Sequence, residues 1–76
     1  MLITRLYLQS ESKNVNRYFT VQIQPDLFGR YSVIREHGSL DSNGGTVRIT
    51  SGLSEAEAIE NATILKEQRI AAGYVE

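Results

Sequence analysis

Four side chains that could do chemistry lie together between residues 36 and 41. His37, Ser39 and Asp41 alternate along this segment, and Glu36 stands beside them. The types match a hydrolytic triad, in which a base activates a hydroxyl nucleophile. Triads assemble from distant segments around a preorganised oxyanion hole, whereas these residues share one glycine-rich segment of a short chain. We therefore expect a protein that is not an enzyme.

The same segment offers too few ligands for a metal ion. The chain contains one histidine and no cysteine. His37 would therefore depend on Glu36 or Asp41, a set that lacks the ligand count and the supporting hydrogen bonds of a specific site. We expect neither a metal nor another cofactor.

Arginines and tyrosines near this segment are suited to nucleic acid. Arg35 and Arg48 flank it, and guanidinium groups bind phosphate oxygens. Arg5, Tyr7 and Tyr18 are expected on the outer face of a sheet, and Arg48 on the same face. Basic residues interleaved with aromatic ones are typical of surfaces that bind single strands. The alternative is an ordinary solvated sheet face.

Alternation of apolar and polar residues predicts the strands that would position these side chains. Four such runs are present: Leu2–Gln9, Arg17–Gln24, Tyr31–Glu36 and Thr46–Thr50. In the first run, Leu2, Leu6 and Leu8 fall on one side. In the second run, Phe19 belongs to an apolar face that a slip of one residue would expose, so the register should be well defined.

Two connections shape the sheet. Residues 25–29 contain Pro25 and Gly29 and should form a hairpin turn. Leu27 and Phe28 are too apolar for a solvated turn, so we expect them to fold back against the edge of the core.

The second connection, residues 37–45, is predicted to be a loop. Its Asn43-Gly44 pair favours a turn, because both residue types tolerate positive φ. The strand that follows should direct Val47 and Ile49 into the core.

A helix should follow the last strand. Ser54 with Glu57 three residues later forms a capping box, and Gly73 is a natural end. The apolar residues expected to face the sheet are Ala58, Ile59, Ala62, Leu65 and Ile70. The fold class is α+β, an antiparallel sheet of about four strands with one C-terminal helix, in a single domain over residues 1–76.

Charge is distributed unevenly although the net charge is −1. The first 53 residues hold six Lys/Arg against four Asp/Glu, and residues 54–76 hold two against five. A polyanion should therefore approach the strands and avoid the helix. The first residues form too short an apolar run for a signal peptide, and no run approaches the ~20 apolar residues of a membrane helix. We expect a cytoplasmic protein with no membrane partner.

Several short motifs carry a family resemblance. Gly38, Leu40 and Gly44 match the frame that follows the Trp position in the WGR domain, a module of some poly(ADP-ribose) polymerases and many bacterial proteins. Further matches occur along the chain at Arg17-Tyr18-Phe19, at Gln24–Gly29 and at Gly73-Tyr74. The chain thus resembles a short bacterial WGR domain over nearly its whole length.

The resemblance implies a curved sheet with a packed helix and binding of DNA, which the departures from the motif should make weak. In the polymerases, the Trp and Arg of the motif are implicated in contacting DNA at a break; His37 and Ser39 stand at those positions here, and Asp41 replaces a glycine. The candidate nucleic-acid-binding residues, in the 35–48 segment and the adjacent sheet face, are Arg5, Tyr18, Arg35, His37, Gly38, Ser39 and Arg48. The alternative is a module that binds a protein partner or itself, or has another accessory role, without binding DNA.

Overall fold

The described part of the chain forms four strands followed by a helix. The computed structural model describes residues 2–76, with Leu2 described through its backbone only. The elements are β1 (Leu2–Ser10), β2 (Val15–Pro25), β3 (Tyr31–Ser39), β4 (Thr46–Leu53) and α1 (Glu55–Ala71). The strands form one antiparallel sheet in the order β1-β2-β3-β4. The predicted fold class is confirmed.

The register of β2 determines which side chains share a face. Phe19 lies directly opposite Leu6 of β1 and His37 of β3, and residues opposite each other point to the same side of a sheet. The fully buried side chains of the strands, Leu6, Phe19, Val21 and Val33, all lie on the face that α1 covers. The predicted inward position of Leu6 is confirmed; the prediction for the Leu2 side chain lies outside the described residues.

A capping box begins the helix, as predicted. The Ser54 hydroxyl oxygen accepts from the Glu57 backbone N–H at 3.1 Å, and the Glu57 carboxylate accepts from the Ser54 N–H at 2.9 Å. Both contacts satisfy backbone donors that have no partner inside the helix.

The helix ends at a Schellman motif. The N–H of Tyr74 donates to the carbonyl of Arg69, and that of Gly73 to the carbonyl of Ile70. Gly73 has φ +102, which explains why glycine ends the helix. Tyr74 is thereby folded back into the core, where it is buried.

The helix packs on the sheet through small side chains. Ala58 and Ala62 are buried and Leu65 is partly buried, as predicted. Ile59 and Ile70 were expected to face the sheet and are instead about half exposed. Alanine at the contact lets the helix lie close to the strands, which leaves the isoleucines at its flanks in solvent.

The two faces of β4 are the reverse of those predicted. Val47 is 52% exposed and Ile49 is 61% exposed, because they lie opposite Glu36 and Ile34 on the outer face of β3. Arg48 lies opposite Arg35, on the helix side. The strand also continues to Leu53, through a bulge near its end.

The hairpin between β2 and β3 projects into solvent. Leu27 is 96% exposed and Phe28 is 88% exposed, so the prediction that they fold back onto the core is wrong. The Asp26 carboxylate accepts from the N–H groups of Phe28 and Arg30, which fixes the turn without any core contact. The radius of gyration, 13.5 Å, exceeds the about 11 Å expected for a compact chain of this length, and the molecule is elongated, with extents of 47 × 25 × 14 Å.

The two phenylalanines provide a direct test of this packing. Phe19→Ala should lower the free energy of unfolding by about 3–5 kcal/mol, since it empties the centre of a small core. Phe28→Ala should change it by less than about 0.5 kcal/mol, since the side chain is in solvent. Urea unfolding followed by circular dichroism measures both. Equal losses would mean that the hairpin packs on the core after all.

The helix cap provides a second test. Ser54→Ala should cost about 1 kcal/mol of stability, because the Glu57 N–H loses its acceptor. Ser42→Ala is the matched control, since no side-chain hydrogen bond of Ser42 occurs within residues 2–76, and it should have almost no effect.

Acid should remove part of the cap. The backbone N–H of Ser54 lowers the pKa of Glu57 below its ordinary value. A lowered folded-state pKa gives stability that is present above the unfolded-state pKa and lost as the pH falls through the folded-state pKa. The stability difference between the unmodified chain and Glu57→Ala should therefore shrink below about pH 4. A difference that stays constant with pH would contradict the ionised cap.

Candidate functional site

The structure divides the seven predicted site residues between two faces of the sheet. Arg35, His37, Ser39 and Arg48 lie on the helix side, and Arg5, Tyr18 and Gly38 lie on the outer side. The prediction that Arg48 shares a face with Arg5 and Tyr18 is therefore wrong. The reason is the register of β4 on β3, which places Arg48 directly opposite Arg35 on the helix side. The strand β3 also continues past Glu36, through His37 to Ser39.

A pair of like charges marks the helix side. Arg35 and Arg48 lie directly opposite each other on β3 and β4. Directly opposed like charges destabilise a sheet. Within residues 2–76, no carboxylate forms an ion pair or a hydrogen bond with either guanidinium group. The two guanidinium groups therefore have no carboxylate partner in the described chain, and Arg48 is exposed to solvent.

The helix adds a third guanidinium group, Arg69. Its Cζ lies 4.6 Å from the centre of the Phe19 ring and 5.3 Å from that of Tyr74, and Nη1 donates to the Tyr74 hydroxyl at 3.2 Å. These contacts hold the cation above the core. The last turn of the helix therefore presents a positive charge beside the core.

Arg69 was not among the residues predicted from sequence. It lies in the last turn of α1, four residues before Gly73, and a cation there favours the negative end of the helix dipole. The charge pattern along the helix identifies that role. Its proximity to β3 depends on the angle at which the helix crosses the sheet, which the sequence does not specify.

His37 lies among these arginines. It is opposite Phe19, the residue that Arg69 covers. Burial and, after it, the charge of Arg69 lower the pKa of His37 below its ordinary value, and Arg35 and Arg48 act in the same direction. The helix side thus carries a cationic face, which we define as Arg35, His37, Arg48 and Arg69.

Ser39 has a structural part in the loop. Its hydroxyl donates to the Asn16 carbonyl oxygen at 3.4 Å and accepts from the Asp41 N–H at 3.2 Å. The Asn16 side chain also donates to the Asp41 carboxylate at 3.3 Å. Neither Ser39 nor Asp41 has a hydrogen bond to His37 within residues 2–76, so the three do not form a triad geometry.

On the outer side, Tyr18 holds the loop in place. Its ring lies over Gly38, its cross-strand partner. Its hydroxyl donates to the Glu36 carboxylate at 2.7 Å, a bond that, more than burial, raises the pKa of Tyr18. Gly45 lies against the same hydroxyl: a Cβ there would contact Tyr18 Oη and lie 2.5 Å from the His37 carbonyl oxygen. The sequence identified Gly38 and Gly44 as important, but not Gly45.

A shallow groove of about 520 Å³ follows the outer face. Its lining residues are Arg5, Tyr7, Tyr18, Thr20, Gln22, Glu36 and Leu40. Arg5 is the one cation among them, and the Glu36 carboxylate opposes it. The outer face therefore has aromatic surface but no excess of positive charge with which to attract phosphates.

Two further findings concern the described residues. They contain no group of three or more His, Asp or Glu side chains arranged to hold a metal ion. The helix is not long and apolar enough to span a membrane.

Comparison with known proteins identifies the family. A family model described as the WGR domain matches residues 4–76. This chain therefore belongs to the WGR domain family, as the motifs around Gly38 indicated. No curated protein and no solved structure matches it.

The close approach of Gly45 to Tyr18 and to the His37 carbonyl provides a test of the packing around the β3–β4 connection. Gly45→Ala should destabilise the domain by about 1–3 kcal/mol, because backbone as well as side chain must move. Tyr18→Phe should not rescue it, since the His37 carbonyl remains in the way. Gly44→Asn is the control: the position is open, and asparagine tolerates its φ of +84. Thermal unfolding of the four proteins checks this, and a tolerated Gly45→Ala would disprove the tight packing.

Proposed function

We propose that this WGR domain is a non-catalytic module that binds the phosphate backbone of DNA through its cationic face. Arg35, Arg48 and Arg69 would each approach a phosphate, and His37 would contact the sugar or base beside them. The binding is electrostatic and weak, because few phosphates are reached and no tryptophan is present to stack.

One observation carries this proposal, the opposed pair of Arg35 and Arg48. A sheet gains nothing from two guanidinium groups placed directly across from each other. Local features that reduce stability without a compensating contact are typical of functional sites. A polyanion supplies the missing compensation, because it places a negative charge between the two groups.

The position of Arg69 supports the same ligand. Its guanidinium group is held by Phe19 and Tyr74, so little side-chain freedom is lost when a phosphate binds. The outer groove fits a polyanion less well, since Glu36 lies within it. The helix side is therefore the better candidate for the phosphate contacts.

Membership of the WGR family is the reason for proposing DNA rather than another polyanion. WGR domains of poly(ADP-ribose) polymerases are implicated in DNA contact through the positions that His37 and Ser39 occupy here. Ser39 is engaged with Asn16 and Asp41, so its hydroxyl is less available to DNA. We infer that Arg48 and Arg69 take over the charge that the arginine of the motif supplies elsewhere.

Binding to a fluorescently labelled blunt duplex, measured by anisotropy, tests the proposal. About three phosphate contacts predict a slope near −2.7 for log affinity against log salt, or a loss of about 40-fold between 50 and 200 mM salt. Arg48→Gln should reduce the slope by about 0.9, since one contact is lost. Arg5→Gln removes the same charge from the outer face and should leave the slope unchanged.

The chain's single histidine gives an independent readout. Phosphates near His37 should raise its pKa above the value in the free protein, so NMR should show the ring taking up a proton on binding. Because the bound form then holds more protons, affinity should increase as the pH falls through this interval. The proposal would be wrong if Arg5→Gln and Arg48→Gln changed the salt slope equally and the pKa of His37 did not change on binding. DNA would then bind to the outer face or not at all.

The alternative function, a protein-interaction module, depends on a different surface. It is supported by the exposed apolar side chains of β4, which play no part in the DNA proposal.

A further inference from the structure

The two edges of the sheet differ. The edge of β1 is occupied at one point, where Tyr7 and Val75 exchange backbone hydrogen bonds at 2.7 and 2.8 Å. The edge of β4 is free: within residues 2–76, β4 pairs with β3 and with no other strand. A free edge exposes a row of N–H and C=O groups that can pair with another extended segment.

The two sides of β4 also differ in chemistry. On its outer side, Val47 and Ile49 are more than half exposed, and Ile34 lies directly opposite Ile49. On its helix side, Arg48 lies beside Arg35 with no carboxylate partner in the described chain. An added strand would therefore meet apolar surface on one side and positive charge on the other.

The edge from Thr46 to Thr50 carries one of the usual protections, the charge of Arg48, which an acidic side chain on an added strand would neutralise. Natural edge strands are commonly blocked by charged side chains, proline or a bulge. This segment contains neither lysine nor proline, and the bulge of β4 lies beyond it, where Tyr31 and Val33 pair with Leu53 and Thr50. We call Thr46–Thr50 the open edge.

We propose that the open edge binds an extended peptide segment as a fifth strand, in which apolar residues alternate with acidic ones. The apolar residues would cover Val47 and Ile49, and the acidic residues would face Arg48. Backbone hydrogen bonds supply part of the affinity, and the alternation supplies the specificity.

Charge complementarity selects this partner over a second copy of the chain. Antiparallel pairing of two β4 strands would bring a second Arg48 close to the first. The cationic faces of both copies would then adjoin, and like charges would repel. An acidic side chain at the same place instead satisfies a guanidinium group that has no partner in the described chain.

The test uses a synthetic peptide, acetylated and amidated, that repeats Val-Glu four times. Titrated into the ¹⁵N-labelled chain, it should cause saturable NMR shifts at the backbone amides of the open edge. A peptide that repeats Val-Lys should bind at least 10-fold more weakly. Ile49→Lys should also weaken the Val-Glu peptide at least 10-fold, because it charges the apolar side and blocks the edge.

Matched variants separate this proposal from the DNA proposal. Ile64→Lys makes the same change at a helix residue of similar exposure and should leave peptide binding unchanged. Ile49→Lys leaves all four residues of the cationic face intact, so DNA binding should persist at a similar salt slope.

Three results would overturn the proposal. The first is an equal response to the Val-Glu and Val-Lys peptides. The second is a set of shifts outside the open edge, for example at the Leu27–Phe28 turn. The third is a change in the NMR shifts of the open-edge amides with protein concentration in the absence of peptide. A second copy of the chain would then occupy the edge.

Discussion

The structure depends on Phe19 and on the register it gives to β2. This side chain is fully buried, lies between Leu6 and His37 across two strand pairs, and supports the guanidinium group of Arg69. Its burial fixes which residues of β2 face the helix, and strand pairing transmits that choice to both neighbours. The hydrophobic core and the cationic face therefore have the same origin. They are adjacent parts of one surface, and the apolar part gives way to the charged part along β3.

The sequence predicted those features that depend on short-range pattern. The faces of β1 and β2, the capping box at Ser54 and the end at Gly73 follow from alternation and capping chemistry. The faces of β4 could not be predicted this way. Alternation separates Val47 from Arg48 but does not say which faces the core; pairing with β3 decides that. The sequence also did not predict that Arg69 belongs to the cationic face. Its position there results from the packing of the helix on strands that are distant in sequence.

A single helix is narrow compared with four strands. It lies mainly over β2 and β3, the central pair, through a stripe of alanines and Leu65. The helix covers the outer strands, β1 and β4, less fully, and these two strands differ in the pairing at their edges. β1 is completed by Val75 at its edge, whereas β4 keeps its edge free, with Val47 and Ile49 in solvent. The two outer strands therefore differ at their edges because Val75 pairs with β1, and Val47 and Ile49 are exposed because they lie on the face of β4 that points away from the helix.

The residues that hold the β3–β4 connection and the residue proposed to contact a ligand lie on opposite faces of the sheet. Tyr18, Gly38 and Gly45 hold the β3–β4 connection from the outer side of the sheet, while His37 projects from the other side. Among the hydrogen bonds of residues 2–76, none uses the His37 side chain. The His37 side chain therefore does not take part in the contacts that hold the β3–β4 connection in place. A substitution at position 37, including the tryptophan that gives the family its name, would therefore break no side-chain hydrogen bond within residues 2–76.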